Sequence, residues 1–207
     1  MTATETSGRP SEARERLLAT ATGIFYASGI HSVGVERLVA EAKVTRATFY
    51  RHFPSKEDLV AAYLQRINQH IRDQHERAVS GGKPAADILR EIGRQIVADI
   101  RSPGFRGCAF LNAAAEYPDA DHPVHQLVLA HREWFLAAIT SLFARTHDSP
   151  PEGSGRHFVM MRDGAMAAGY LGDPIVTGET FLNSIEGLLQ VRAVDGVRFL
   201  LPTETQR

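Results

Sequence analysis

Apolar residues in this chain recur at steps of three and four and rarely at steps of two. That period fits helices with one buried face and leaves little room for strands. Leu17, Leu18, Ala21, Ile24 and Phe25 follow it. So do Val35, Leu38, Val39 and Ala42, and later Phe181, Ile185, Leu188, Leu189 and Val191. The expected fold is therefore all-α. A first helix should begin after Pro10, with Ser11 as cap and Glu12 and Glu15 in the dipole-favoured first turn, and stop at Gly29. A second follows Gly34, a third starts at Thr45 and a fourth at Ser55, where Ser55-Lys56-Glu57-Asp58 spells a capping box with Asp in place of the commoner Glu or Gln. The fourth is expected to reach about residue 78, before the breaker Ser80-Gly81-Gly82-Lys83-Pro84. Later helices fall near 85–101, 108–117, 123–146, 156–171 and 178–193, with a loop over 147–155, giving about nine in all. The natural division is a head over 1–54 and a larger helical body over 55–207.

The composition narrows the function classes. Of 207 residues, 43% are hydrophobic, enough for a sizeable core. A net charge of −1 excludes binding to polyanions by bulk charge, so any nucleic-acid surface must be a local patch. Cys108 is the single cysteine, which excludes an internal disulfide and a zinc ribbon. No apolar run approaches the roughly 20 residues of a membrane span, and the first residues carry no apolar leader segment. These features imply a cytoplasmic protein with no membrane partner. GxSxG, Walker A, GxGxxG and HExxH patterns are all missing, so neither an enzyme nor a resident cofactor is expected.

The segment VTRATFYRHFPSKEDL, residues 44–59, crowds aromatics among cations. At 100° per residue, Phe49 and Phe53 share one face of the third helix and must pack on the first two. Ala47 and Arg51 then point away, flanked by Thr48 and Tyr50, and Thr45 is placed to cap. Three short helices with a tight turn between the second and third form the layout of a helix-turn-helix. Its outward face is small, polar and basic. Arg46 and Arg51 suit phosphates or guanine edges, the Ala47 methyl suits a thymine methyl, and the Tyr50 hydroxyl suits a phosphate. Lys56 stands at a helix N-terminus, where anions are already favoured. Between Lys43 and Lys56 there are four Lys or Arg residues and no acid.

Arg14, Leu18, Phe25, Gly29, Thr45, Thr48, Phe49, Tyr50, His52, Phe53, Ser55, Lys56 and Leu59, in this spacing, resemble the N-terminal signature of TetR/AcrR-type transcriptional regulators. The resemblance covers about the first 60 residues. It implies a homodimer on a palindromic double-stranded operator, and a repressor released by a small-molecule effector bound in the body. It puts Thr45, Arg46, Ala47, Thr48, Tyr50, Arg51 and His52 in the recognition-helix positions, with Tyr50 and Lys56 as phosphate contacts. Two departures stand out. Lys43 occupies the turn position where the family usually has glycine, at a cost of about 1 kcal/mol if φ is positive. Gly34 replaces a Ser or Thr cap.

The body carries weaker signals. On a helix from Cys108, the residues Cys108, Leu111, Asn112, Ala115 and Glu116 form one stripe, a polar pair among small residues of the kind an effector pocket needs. The competing reading has Asn112 and Glu116 satisfying backbone groups at a helix junction. Trp134 or His131 is a candidate pocket residue on the following amphipathic helix, although a packed core suits both. Cys108 also raises a redox-responsive reading, and His122 with His125 a metal-responsive one, although no His-x3-His pair fixes a metal site. Glu116 is the sole candidate for catalysis. The two last helices, apolar and rich in small residues, suit pairing across a two-fold axis as a four-helix bundle.

Overall fold

The computed structural model describes residues 11–146 and 151–190. The first ten residues, residues 147–150 of the expected loop, and Val191 with the end of the last expected helix lie outside that range. Within it the chain forms nine helices and no strand: α1 Glu12–Ser28, α2 Val35–Glu41, α3 Arg46–His52, α4 Lys56–Ser80, α5 Ala85–Ile100, α6 Ala109–Glu116, α7 Pro123–Phe143, α8 Pro151–Leu171 and α9 Pro174–Gln190.

Local chemistry sets most of these limits. The Ser55 hydroxyl accepts from the Asp58 N–H at 3.1 Å while the Asp58 carboxylate accepts from the Ser55 N–H at 2.9 Å, so the shorter Asp still closes the box. Ser11 does not cap α1 with its side chain; its hydroxyl instead lies 3.3 Å from Nε2 of His52. Helix α9 starts four residues earlier than periodicity predicts. Pro174 needs no N–H partner there, and Asp173 Oδ1 accepts from the N–H groups of Ile175 (2.7 Å) and Val176 (3.2 Å). A proline likewise opens α8, so that helix takes in part of the segment expected as loop.

The head is the α1–α3 cluster, built on Leu17, Ala21, Leu38, Phe49 and Phe53, all nearly or fully buried. Helix α4 leaves this cluster and runs on into the body, with Phe25 of α1 edge-on to its Tyr63 at 5.7 Å. In the body α7 packs on α4, α6 and α8, and α9 packs on α5 and α8. Close approach is set by glycine: a Cβ on Gly93 would run into Ile185, and one on Gly169 into Ile100.

Helix α6 turns a different face to the core from the one its pattern suggested. Ala109, Phe110 and Ala113 are buried, as is Tyr117 just beyond. Of the expected stripe only Cys108 is buried. Leu111 and Glu116 are half-buried, and Asn112 and Ala115 are exposed. Phe110 and two alanines offer more apolar area than a stripe holding Asn and Glu, so burial follows them.

Candidate nucleic-acid interface and effector cavity

The turn before α3 holds Lys43 at φ 52, the left-handed conformation anticipated for that position. Thr45 caps the helix, its hydroxyl accepting from the Thr48 N–H at 3.1 Å. With Phe49 and Phe53 anchored inside, Ala47, Tyr50 and Arg51 are exposed and Thr48 is half-buried. The Arg51 side chain has no hydrogen-bond or ion-pair partner among the described residues, and neither has that of Lys43. Arg46 pairs with Glu36 of α2 and lies over the Tyr50 ring, 5.6 Å from its centroid. That carboxylate neutralises part of the positive charge on this face.

Two residues assigned to this face are otherwise engaged. His52 is half-buried and reaches back to Ser11. The Lys56 ammonium donates to the carbonyl of Ile30 at 2.7 Å, and burial pulls its pKa below the usual lysine value. Lys56 thus fastens the start of α4 to the turn between α1 and α2.

That same turn receives Glu116 from the end of α6. Its carboxylate accepts from the N–H groups of Ile30 (2.8 Å) and His31 (2.5 Å). Gly29, at φ 87, leaves room for it. At the other end of α6, the Tyr26 hydroxyl of α1 donates to the Gly107 carbonyl and accepts from the Arg106 N–H, both at 2.9 Å. The Asn112 amide donates to the Arg106 carbonyl at 2.9 Å. Asn112 and Glu116 do border a cavity, of about 250 Å³, but it lies between head and body against Phe25, Tyr26 and Tyr63. Both side chains there are occupied with backbone groups, so the helix-junction reading describes their contacts better than the pocket reading. Sequence periodicity could not find this joint, because its partners are 85 and 86 residues apart.

A larger cavity, about 400 Å³, opens within the body among α4, α5, α7 and α8. Ile71, Ile92, Phe135 and Met166 give it apolar walls, and Asp99 and Arg162 supply charge. Arg162 is buried, as is Cys108, whose Sγ lies 3.6 Å from both its Nη1 and Nη2. Nη1 also donates to Asp163 Oδ1 at 3.0 Å, a carboxylate shared with Arg132. Burial pushes the Asp99 carboxyl above the usual range. Neither Arg162 nor Asp99 was singled out by the sequence. A lone arginine on an otherwise apolar helical face was the available signal.

The remaining candidates make contacts within the fold. His131 stacks on Phe110 at 3.6 Å and shares a hydrogen bond with Asn68 through Nδ1, while Nε2 has no protein partner. Its pKa is pushed down to about 3, first by burial and then by Arg162, Arg72 and Arg132, so it is neutral at pH 7. Leu111 and Trp134 pack at the edge of the core, with Arg72 over the indole at 4.2 Å. His122 caps α7 by accepting from the Val124 N–H, and His125 bonds to the Tyr117 carbonyl. Among the described residues no three His, Cys, Asp or Glu side chains gather as a metal site. No helix among them is long and apolar enough to cross a membrane.

Comparison with known proteins places this geometry. Residues 17–63 match the family profile described as bacterial regulatory proteins, tetR family. The chain is 59% identical to SCO4454, a TetR-family transcriptional regulator of Streptomyces coelicolor, across 86% of this chain and 95% of that one, with a TM-score of 0.84. The chain belongs to the TetR family. It is thus a helix-turn-helix, DNA-binding transcriptional regulator, of a family whose members are not enzymes. Curated relatives, named as helix-turn-helix transcriptional regulators, match more locally. The repressor DhaR of Mycobacterium sp. (strain GP1) is 26% identical over 124 residues, 58% of this chain and 61% of that protein. The activator FasR of Mycolicibacterium smegmatis is 38% identical over 55 residues, 27% of this chain and 25% of that protein. Such matches therefore span from a quarter to about three fifths of the relatives' own length.

Proposed function

We propose that this TetR-family chain is a homodimeric repressor released from a palindromic operator by a small molecule held in the body's 400 Å³ cavity. The head would comprise residues 1–54 and the body 55–207. The observation that carries the reading is the outer face of α3 and the turn before it, where the side chains of Arg51 and Lys43 are exposed and without a partner among the described residues while Phe49 and Phe53 fix the helix from behind. Ala47 lets that helix approach base edges closely, and Thr45, Thr48 and Tyr50 supply hydroxyls to phosphates or bases. One head covers little area, so specificity asks for two on adjacent turns of the major groove.

The surface for pairing is the outer face of α8 and α9. Met160 is 72% exposed, Leu171 81% and Val176 58%, with Gly164, Ala168 and Thr180 between them. Apolar side chains separated by small residues suit close packing against their own copy. A charge in the middle of this face, Ala168→Glu, should turn a dimer into a monomer in sedimentation and abolish operator binding with it. A variant that stays dimeric, or a monomer that binds as tightly as the parent, would refute the reading.

Release would run along α6. Its N-cap, Cys108, touches Arg162 at the cavity, and its last residue, Glu116, holds the turn between α1 and α2. A ligand that prefers one position of Arg162 would bias α6, and through Glu116 the attitude of the head. The size of the response is limited by the ligand's differential affinity for the two states.

A further inference from the structure

We infer that the body cavity takes an organic carboxylate with an apolar body, its carboxylate paired to the side edge of Arg162. The inference rests on the cavity being the effector site.

A guanidinium has five N–H donors arranged along edges. Cys108 Sγ, equidistant from Nη1 and Nη2 at 3.6 Å, takes the end edge. Asp163 Oδ1 takes the outer hydrogen of Nη1. The two parallel donors on the Nε–Nη2 side have no protein acceptor among the described residues. Arg162 is 7% exposed and borders the cavity. Two parallel N–H groups on a buried arginine match the two oxygens of a carboxylate, which would complete the set of acceptors that Cys108 and Asp163 supply in part. Its protein counter-charge is also incomplete, because Asp163 serves Arg132 as well.

The rest of the wall selects the ligand's body. Ile71, Ile92, Ile96, Phe135 and Met166 are apolar, and the volume suits a small organic molecule rather than an inorganic ion. Asp99 opposes an anion from the same cavity, bonded only weakly to Gln95 at 3.4 Å. Glu91 is turned to Lys83. Asp99 therefore acts against small anions that bring no apolar body, and it sets the sign of one test below.

The probes are octanoate, octanol and octylamine, titrated into the full chain by calorimetry and followed by fluorescence of Trp134, the single tryptophan, whose ring lies 5.9 Å from the cavity residue His75. Octanoate should bind at least about tenfold more tightly than either other probe, the usual value of a charge-assisted bidentate pair. Arg162→Lys keeps the charge but loses the paired edge. It should remove most of that preference and leave octanol affinity unchanged. Asp99→Asn should tighten octanoate alone, and it decides the matter if the lysine variant is poorly folded. Equal affinity for octanoate and octanol, or an octanoate preference that survives Arg162→Lys, would overturn the carboxylate assignment while leaving the cavity as effector site. If none of the three probes binds the parent protein and the cavity-filling Ile92→Trp leaves operator release unaltered, the effector reading falls, and this inference with it.

Discussion

Arginine does opposite work in the head and in the body of this regulator. The Arg51 side chain is exposed and has no partner among the described residues, on a helix whose other side is locked by Phe49 and Phe53. Arg162 is buried against a thiol, a shared carboxylate and the Phe135 ring, 5.2 Å from its centroid. A charge meant for a polyanion gains most by staying hydrated and free until it displaces the counterions condensed on that polyanion. A buried charge must be organised by its surroundings beforehand. The head is thus a surface on a rigid support, and the body holds a site whose polar parts bond to one another.

The sharpest way to break this contrast is to remove each arginine. Arg162→Ala strands part of a buried network and should cost about 3 kcal/mol in urea unfolding. Arg51→Ala should change stability by no more than about 0.5 kcal/mol. Equal losses would mean that the two sites do not differ as described.

Acid should find the body before the head. His131 is neutral in the fold with its pKa pushed down to about 3, against an ordinary 6.5 in the unfolded chain. Between those values the unfolded state binds the extra proton. Stability is therefore full above pH 6.5 and falls as pH drops through the window, by up to about 1.4 kcal/mol per unit. His131→Phe should remove one proton from that slope, and an unchanged slope would show that other groups set it.

Smaller effects probe the joint between the regions. Glu116→Ala leaves the Ile30 and His31 N–H groups without their acceptor and should cost about 1.5 kcal/mol. Operator affinity should drop severalfold in a mobility-shift titration. The sequence alone suggests the reverse, a change in effector response with DNA affinity intact, so the same titration decides between the two. Smallest is Lys43→Gly, which relieves a positive φ and should raise stability by about 1 kcal/mol while giving up one cation of the face proposed for DNA.

The head and the start of α4 were legible because their signals are local. The Thr45 cap, the Ser55–Asp58 box and the phase of Phe49 and Phe53 are all set within four residues. The all-α class and the approximate helix limits follow from the same periodicity. Pro174 and Asp173 were readable too, but a Gly-Asp-Pro run signals a break as readily as a helix start. The joint and the cavity were not legible. Glu116 meets Ile30 across 86 residues and Arg162 meets Cys108 across 54. Such pairings depend on how helices rotate against one another, as the turned face of α6 shows. His52 and Lys56 look like free surface groups in sequence, yet Ser11 and the Ile30 carbonyl hold them.

The most direct test of DNA recognition by the α3 face is a salt titration. An operator selected from random duplexes should be a palindrome with half-sites about one helical turn apart. The slope of log K against log salt should then be measured for the parent and for Arg51→Ala. Two heads each losing one contact should make the dimer's slope shallower by about 2 and weaken binding at low salt by tenfold or more. An Arg51→Ala protein with the parent's affinity and slope at every salt concentration would contradict the assignment of that face to DNA.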